Sequence, residues 1–254
     1  MTTVIVRPEP DCSELVDQLT RQGLAAIACP LLSFAPGRDL PTFATLLGSL
    51  PADSILVAVS PRAVAFAHQA LQRQEMAWPS DCHYVAVGQR TAHEWQAVCG
   101  QTVQYPVRED SEGMLALAPF MAVKGAQVVI LRGDSGRDMM AKTLSDQGAQ
   151  VHYCETYRRQ WAIEPLVSQV VSWPKDTIDT VVITSGQQLA YFDQLITLSG
   201  QHWLRQCRIL VPSKRIQDQA TGLDFDTITT VDSVANSALF HTLLRLSKTG
   251  LSDD

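Results

Sequence analysis

Across its 254 residues the sequence lacks the local signatures of most common chemistries. Six cysteines stand apart at Cys12, Cys29, Cys82, Cys99, Cys154 and Cys207, and none forms a Cys-x-x-Cys pair. His68, His83, His93, His152, His202 and His241 include no pair at zinc-protease spacing. A metal site is therefore not expected, and the thiols read as reduced and mostly buried. Gly133-Asp134-Ser135-Gly136 does not complete a Gly-x-Gly-x-x-Gly fingerprint, and neither a Walker loop nor a Gly-x-Ser-x-Gly elbow occurs. No basic stretch followed by an apolar run opens the chain, so no signal peptide is read at Met1-Thr2-Thr3-Val4-Ile5-Val6-Arg7-Pro8. The longest apolar run, Leu24 to Cys29 resuming at Leu31, is far short of the ~20 residues that span a bilayer. A cytoplasmic protein without a membrane partner is expected. The net charge of -6 argues against nucleic acid as the main partner, but leaves room for a locally basic cleft.

What the sequence does have is a repeat. Hydrophobic residues make up 46% and charged residues 18%, the balance of a soluble globular protein with material for two cores. Val4-Ile5-Val6-Arg7-Pro8 reads as a buried strand ending in arginine, followed by a helix that carries Leu15, Val16 and Leu19 and closes at Gln22-Gly23. An offset of 125 residues returns Val129-Ile130-Leu131-Arg132-Gly133, then a helix with Met140 and Leu144 that closes at Gln147-Gly148. The same offset pairs Ile55 to Pro61 with Thr180 to Gly186, so that Ser60 falls on Ser185. It pairs Tyr84 to Ala92 with Ile209 onward, so that Arg90 falls on Arg215. Ser111 to Phe120 and Asp232 to Leu246 read as further helices opened by polar caps.

Strand and helix alternate throughout, and the strands are continuous apolar runs rather than alternating ones. Such strands are buried on both faces, which predicts an α/β fold of two doubly wound, flavodoxin-like parallel-sheet units. Pro30 to Pro36 and Tyr157 to Trp161 lie at corresponding places and read as extended connectors. If both cross between domains, one domain is 1–32 with 163–254 and the other 37–156. A boundary near residue 125 is the simpler division, and the residues alone leave both open.

Ligands of open parallel sheets bind beyond the carboxyl ends of the strands. Those ends hold Arg7-Pro8, Ser60-Pro61-Arg62, Gly88-Gln89-Arg90-Thr91, Arg132-Gly133-Asp134-Ser135-Gly136-Arg137, Thr184-Ser185-Gly186 and Pro212-Ser213-Lys214-Arg215. Small residues, hydroxyls and guanidinium groups dominate, next to helix N-termini whose free N–H groups favour anions. The forecast is a site for a polyanion. Singly, a serine there is more often a helix cap, and an arginine a solvated or salt-bridged side chain. Paired carboxylates are missing from these tips, which sets glycosidase chemistry aside. Catalysis then comes from positioning an intrinsically reactive substrate. Tyr157 breaks the repeat, because its counterpart is Leu32. Its phenol could donate a proton in a site, or its ring could simply be buried at a hinge.

Taken in order, Arg7-Pro8, Ser60-Pro61-Arg62, Val87-Gly88-x-x-Thr91-Ala92, Leu131-Arg132-Gly133-Asp134-x-Gly136-Arg137, Thr156-Tyr157, Thr184-Ser185-Gly186 and Pro212-Ser213-x-Arg215 resemble the uroporphyrinogen-III synthase family over nearly the whole chain. The last turn departs from the Gly-Pro-Thr-Thr of some relatives. The resemblance implies two α/β domains joined by a two-stranded linker, at about 33–36 and 157–162, with the active cleft between them, and it favours the mixed division. It implies a cofactor-free lyase of tetrapyrrole synthesis that dehydrates and cyclises hydroxymethylbilane, inverting ring D through a spiro-pyrrolenine. It makes Tyr157 the catalytic candidate. Arg7, Ser60, Arg62, Gly88, Thr91, Arg132, Gly133, Arg137, Ser185, Gly186, Ser213 and Arg215 become the candidates for contact with the substrate's carboxylates. A monomer that receives its substrate from the preceding deaminase is expected. The competing readings are a two-domain anion-binding or sensory module without catalysis, and a carboxylate-sugar transferase, which the missing nucleotide motif disfavours.

Overall fold

A computed structural model describes residues 2–136 and 138–249. The chain forms two compact units, Met1–Ser33 with Gln160–Asp254, and Phe34–Arg159.

The first unit is built on a five-stranded sheet in the order β11-β10-β9-β1-β2. Its strands are β1 (Thr2–Ile5), β2 (Ala25–Ala28), β9 (Ile178–Val182), β10 (Arg208–Val211) and β11 (Thr227–Thr230). All its pairings are parallel. Val4, Val181 and Ile209 point to one side, under α7 (Glu164–Val171), α8 (Gly186–Ser199) and α9 (Lys214–Thr221). Ile5, Val182 and Leu210 point to the other, under α1 (Asp11–Arg21) and α10 (Asn236–Thr249). Burial on both faces is why these strands read as unbroken apolar runs. Each fully buried side chain of this kind contributes about 1.5–3 kcal/mol.

The second unit holds a six-stranded sheet in the order β3-β8-β7-β4-β5-β6. Its strands are β3 (Leu32–Pro36), β4 (Ile55–Ala58), β5 (His83–Ala86), β6 (Val103–Gln104), β7 (Gln127–Gly133) and β8 (Gln150–Trp161). The pairings from β8 to β6 are parallel. At the edge, Ala162 N–H donates to Leu31 O at 3.0 Å and Gly37 N–H to Thr156 O at 2.9 Å, so β3 runs opposite to β8. Leu56, Tyr84 and Val129 face α2 (Leu40–Gly48), α3 (Pro61–Arg73) and α4 (Gln89–Cys99). Val57, Val85 and Ile130 face α5 (Ser111–Leu115) and α6 (Met139–Asp146).

Local sequence sets the ends of these helices. Gly23 and Gly148, 125 residues apart, stop α1 and α6 at φ 75° and 91°, a region that only glycine enters freely. Two expected helices differ. The segment from Ser111 is capped by Asp110, whose carboxylate accepts from Gly113 N–H at 2.8 Å, and its helix ends at Leu115. Pro119 cannot supply the next donor, so Ala118–Phe120 form only a short 3-10 turn. The last helix starts at Asn236 rather than Asp232.

Candidate active site

Every sequence-predicted tip residue that is described lies at or just past the carboxyl end of a parallel strand, or on the first turn of the next helix. Their chemical states differ, and each unit has its own set.

In the first unit, Arg7 is buried and already engaged. Its Nη1 donates to Asn236 Oδ1 at 2.5 Å and its Nη2 to Asp11 Oδ2 at 3.2 Å, which ties β1 to α10 and α1. Its Nε is sealed without a partner among the described residues. Burial lowers the pKa of this guanidinium, and Asp11 opposes the shift. Arg7 is thus a clasp within its unit. Ser185 is a helix cap: its hydroxyl accepts from Gln188 N–H at 3.2 Å. Gly186 opens α8, and a Cβ there would stand 2.9 Å from Gln219 Oε1 and 3.8 Å from Arg215 Nη1, so this tip and that of α9 adjoin. Ser213 caps α9 in extended conformation without a side-chain cap bond. The first N–H groups of α9 therefore lack the side-chain acceptor that Ser185 gives α8. Arg215 is exposed one residue into that helix.

In the second unit, Ser60 is again a cap, accepting from Ala63 N–H at 3.1 Å. The Arg62 guanidinium carbon lies 3.5 Å from the centre of the Phe34 ring, a cation–π contact. Gly88 caps α4 and meets an acid. Glu109 Oε1 accepts from Gln89 N–H at 2.8 Å, and a Cβ on Gly88 would stand 2.6 Å from the Glu109 carboxyl carbon. A carboxylate of the chain itself thus occupies this helix N-terminus. Thr91 is turned into the core at 3% exposure, which removes it from direct contact with a ligand. Arg132 is buried, with Nη1 on Asp138 Oδ1 at 2.8 Å. This pair lowers the pKa of Asp138, with help from the Tyr153 hydroxyl. Arg137 lies outside the described residues.

Tyr157 sits on β8, paired with Gly133 at a register shift. Its ring belongs to the core, 5.6 Å from Phe34 and 6.0 Å from Phe66 between centres. A Cβ on Gly133 would stand 2.6 Å from Tyr157 Cζ and 3.0 Å from its oxygen, so the missing side chain of Gly133 is the space this phenol uses. The hydroxyl has no hydrogen-bond partner among the described residues, yet it is not among the sealed unpaired atoms, so its oxygen meets solvent. The ring is buried, as one reading of Tyr157 expected, and the hydroxyl has no hydrogen-bond partner among the described residues.

Glu109, Asp138, Tyr153 and Asn236 were not singled out from sequence. Asp138 could have been found, because it precedes α6 and lies six residues after Arg132. Asn236 is 229 residues from Arg7, a tertiary pairing with no local signal. Among the described residues, no group of three or more His, Cys, Asp or Glu is placed to hold a metal ion.

Doubly wound parallel sheets of this kind define a class of α/β proteins whose ligands bind beyond the carboxyl ends of the strands. Sequence comparison narrows the class. The family described as uroporphyrinogen-III synthase HemD matches residues 13–241. Uroporphyrinogen-III synthase of Salmonella typhimurium is 37% identical over 248 residues, covering 96% of this chain and 100% of that one. The Escherichia coli protein of the same name is 37% identical over 245 residues, with 96% and 100% covered. In fold, the chain is similar to a mutant uroporphyrinogen III synthase from Thermus thermophilus, with TM-score 0.59, 12% identity and 98% and 99% of the two chains covered. It is also similar to uroporphyrinogen-III synthetase from Helicobacter pylori, with TM-score 0.54, 13% identity and 96% and 99% covered. The chain belongs to the uroporphyrinogen-III synthase family, cyclising lyases of haem biosynthesis.

Proposed function

We propose that this chain converts hydroxymethylbilane to uroporphyrinogen III, removing the terminal hydroxyl, closing the macrocycle and inverting ring D through a spiro-pyrrolenine. The family match across residues 13–241 carries this reading. The strand ends support it, since a substrate with many carboxylates suits N–H groups and guanidinium groups in both units.

The bilane is reactive by itself. Its electron-rich terminal pyrrole expels the hydroxyl, which leaves as water once it has gained a proton, and cyclisation without inversion follows in free solution. The protein therefore has to assist departure and to hold a geometry in which the spiro closure is faster than direct closure. In this reading Tyr157 donates a hydrogen bond to the departing hydroxyl through its open oxygen. Arg62, Arg132, Arg215 and the N-terminus of α9 hold carboxylates, Gly186 keeps the backbone within reach, Gly88 does so where a substrate carboxylate displaces Glu109, and Gly133 makes room for the Tyr157 ring. Arg7, Ser60, Ser185 and Thr91 set the shape of the tips. Tyr157→Phe then lowers turnover without abolishing it, since the substrate ionises readily; unchanged turnover removes this role. The protein acts as a cytoplasmic monomer that takes its substrate from the preceding deaminase; gel filtration with and without that enzyme tests this. Among the described residues no helix is long and apolar enough to cross a membrane.

The assay for the main claim supplies hydroxymethylbilane, oxidises the products and separates the type III and type I isomers. A III to I ratio above the enzyme-free control is expected; a ratio equal to the control rejects the proposal.

A further inference from the structure

At the carboxyl ends of β4, β5 and β7 the second unit contains a cavity of about 160 Å³. Val87, Ile130, Met114 and Met140 give it apolar walls, the two methionines coming from α5 and α6. Among the described residues one charged side chain lines it. Arg132 is 8% exposed, and its guanidinium carbon lies 4.4 Å from the centre of the Tyr153 ring. The backbone closes over it, since a Cβ on Gly136 would stand 2.7 Å from Arg132 Nη2.

The counter-ion of this cation is poorly held. Asp138 Oδ1 accepts from Arg132 Nη1 at 2.8 Å and from the Tyr153 hydroxyl at 3.1 Å, but the Asp138 side chain is 78% exposed against 10% for Arg132. A nearly buried guanidinium needs an anion. An exposed carboxylate binds it weakly enough to be replaced. Aliphatic and thioether walls with one cation at the edge fit a ligand that is apolar along a short stem and anionic at its tip. An inorganic anion leaves the walls unmatched.

We propose that this cavity is the seat of a short aliphatic carboxylate, and that Asp138 is its place-holder, leaving Arg132 when the ligand's carboxylate arrives. The stem lies against Met114 and Met140, and the carboxylate takes the donors on Arg132 and Tyr153 that Asp138 gives up. Resting on the function proposed above, the ligand is one carboxyalkyl arm of the bilane.

The test uses the full chain with its methionine methyl groups labelled with carbon-13, and sodium propionate as probe against sodium chloride at equal ionic strength. Saturable shifts of the Met114 and Met140 methyls are expected, with Met76 unmoved. Arg132→Gln abolishes them. Asp138→Asn, an exposed position that leaves the fold intact, tightens propionate binding about two- to fivefold by removing the competitor. Absence of saturable shifts in the unmodified chain overturns the seat, as do equal shifts in Arg132→Gln. Unchanged or weaker binding in Asp138→Asn overturns the place-holder. Steady-state assays then separate the levels. Propionate raising the Michaelis constant for hydroxymethylbilane supports occupation by a substrate arm. Saturation without that rise overturns the arm and leaves a seat for a free carboxylate. Failure of the unmodified chain to turn over the bilane rejects the proposed function, while the propionate titration still decides the seat.

Discussion

Tyr157 and Gly133 show how one missing side chain can set the position of a functional group. The Tyr157 ring fills the place where a Cβ on Gly133 would be, with Phe34 and Phe66 on its other sides. Gly133→Ala therefore forces the ring to move, at a cost of about 1–3 kcal/mol. A urea midpoint lowered with unchanged slope, together with lowered turnover, is the expected result; full stability would show that the ring has room to yield. Tyr157→Phe should stay within about 0.5 kcal/mol of the unmodified stability, because the hydroxyl has no partner to lose among the described residues. At this scale the sequence was only partly legible. Ser60 and Ser185 occupy the predicted tips and their hydroxyls serve as helix caps, the reading expected of a single serine there. Arg7 reads from sequence either as an anion donor or as a salt-bridged side chain; Asp11 and Asn236, the latter brought in by folding, take up its amino groups.

Among elements, the buried strands were the most legible feature, since burial on both faces leaves an unbroken apolar run. The short β6 (Val103–Gln104) had no such run and was not read. Helix ends were harder. Pro119 shortens one predicted helix, and α10 starts later than its polar residues suggest. Helix α4 shows the limit for sites. Gly88 was read as an anion tip, but nothing local indicates that Glu109, 21 residues on, fills it. Glu109→Gln should cost about 0.3–1 kcal/mol by removing charge from the N-terminus of α4. If a substrate carboxylate uses the same N–H groups, this variant also lowers the Michaelis constant; thermal melts and steady-state kinetics on one preparation measure both. A raised Michaelis constant would instead make Glu109 a support of the site.

For the whole molecule, the repeat accounts for the architecture. Helix starts Pro61 and Gly186, Gln89 and Lys214, and Ser111 and Asn236 are each 125 residues apart. Moved by that offset, the order β2-β1-β9-β10-β11 of one sheet becomes the order β8-β7-β4-β5-β6 of the other. The five-stranded sheet thus takes two strands from the first repeat and three from the second, the six-stranded sheet takes four from the first and two from the second, and the end of a repeat is not the end of a unit. Both units bury thiols, which gives stability a pH dependence. Burial pushes Cys12, Cys29 and Cys154 each up to about 12. In the unfolded chain they ionise near roughly 8.5. Their contribution is therefore fully present below that value and is lost as pH rises toward the folded value, by up to about 1.4 kcal/mol per pH unit for each thiol. Urea midpoints should be level from pH 7 to 8 and fall steeply by pH 10, and a Cys29→Ala, Cys154→Ala variant should fall less steeply; equal slopes would place the effect elsewhere.

We propose that these strand ends direct the closure of a reactive bilane instead of merely holding an anion. The ratio of type III to type I uroporphyrin, measured after oxidation of the products formed from hydroxymethylbilane, tests it most directly. Predominantly type III is expected with the protein present and type I without it. Type I at the enzyme-free proportion, from a folded protein that binds the bilane, would contradict it.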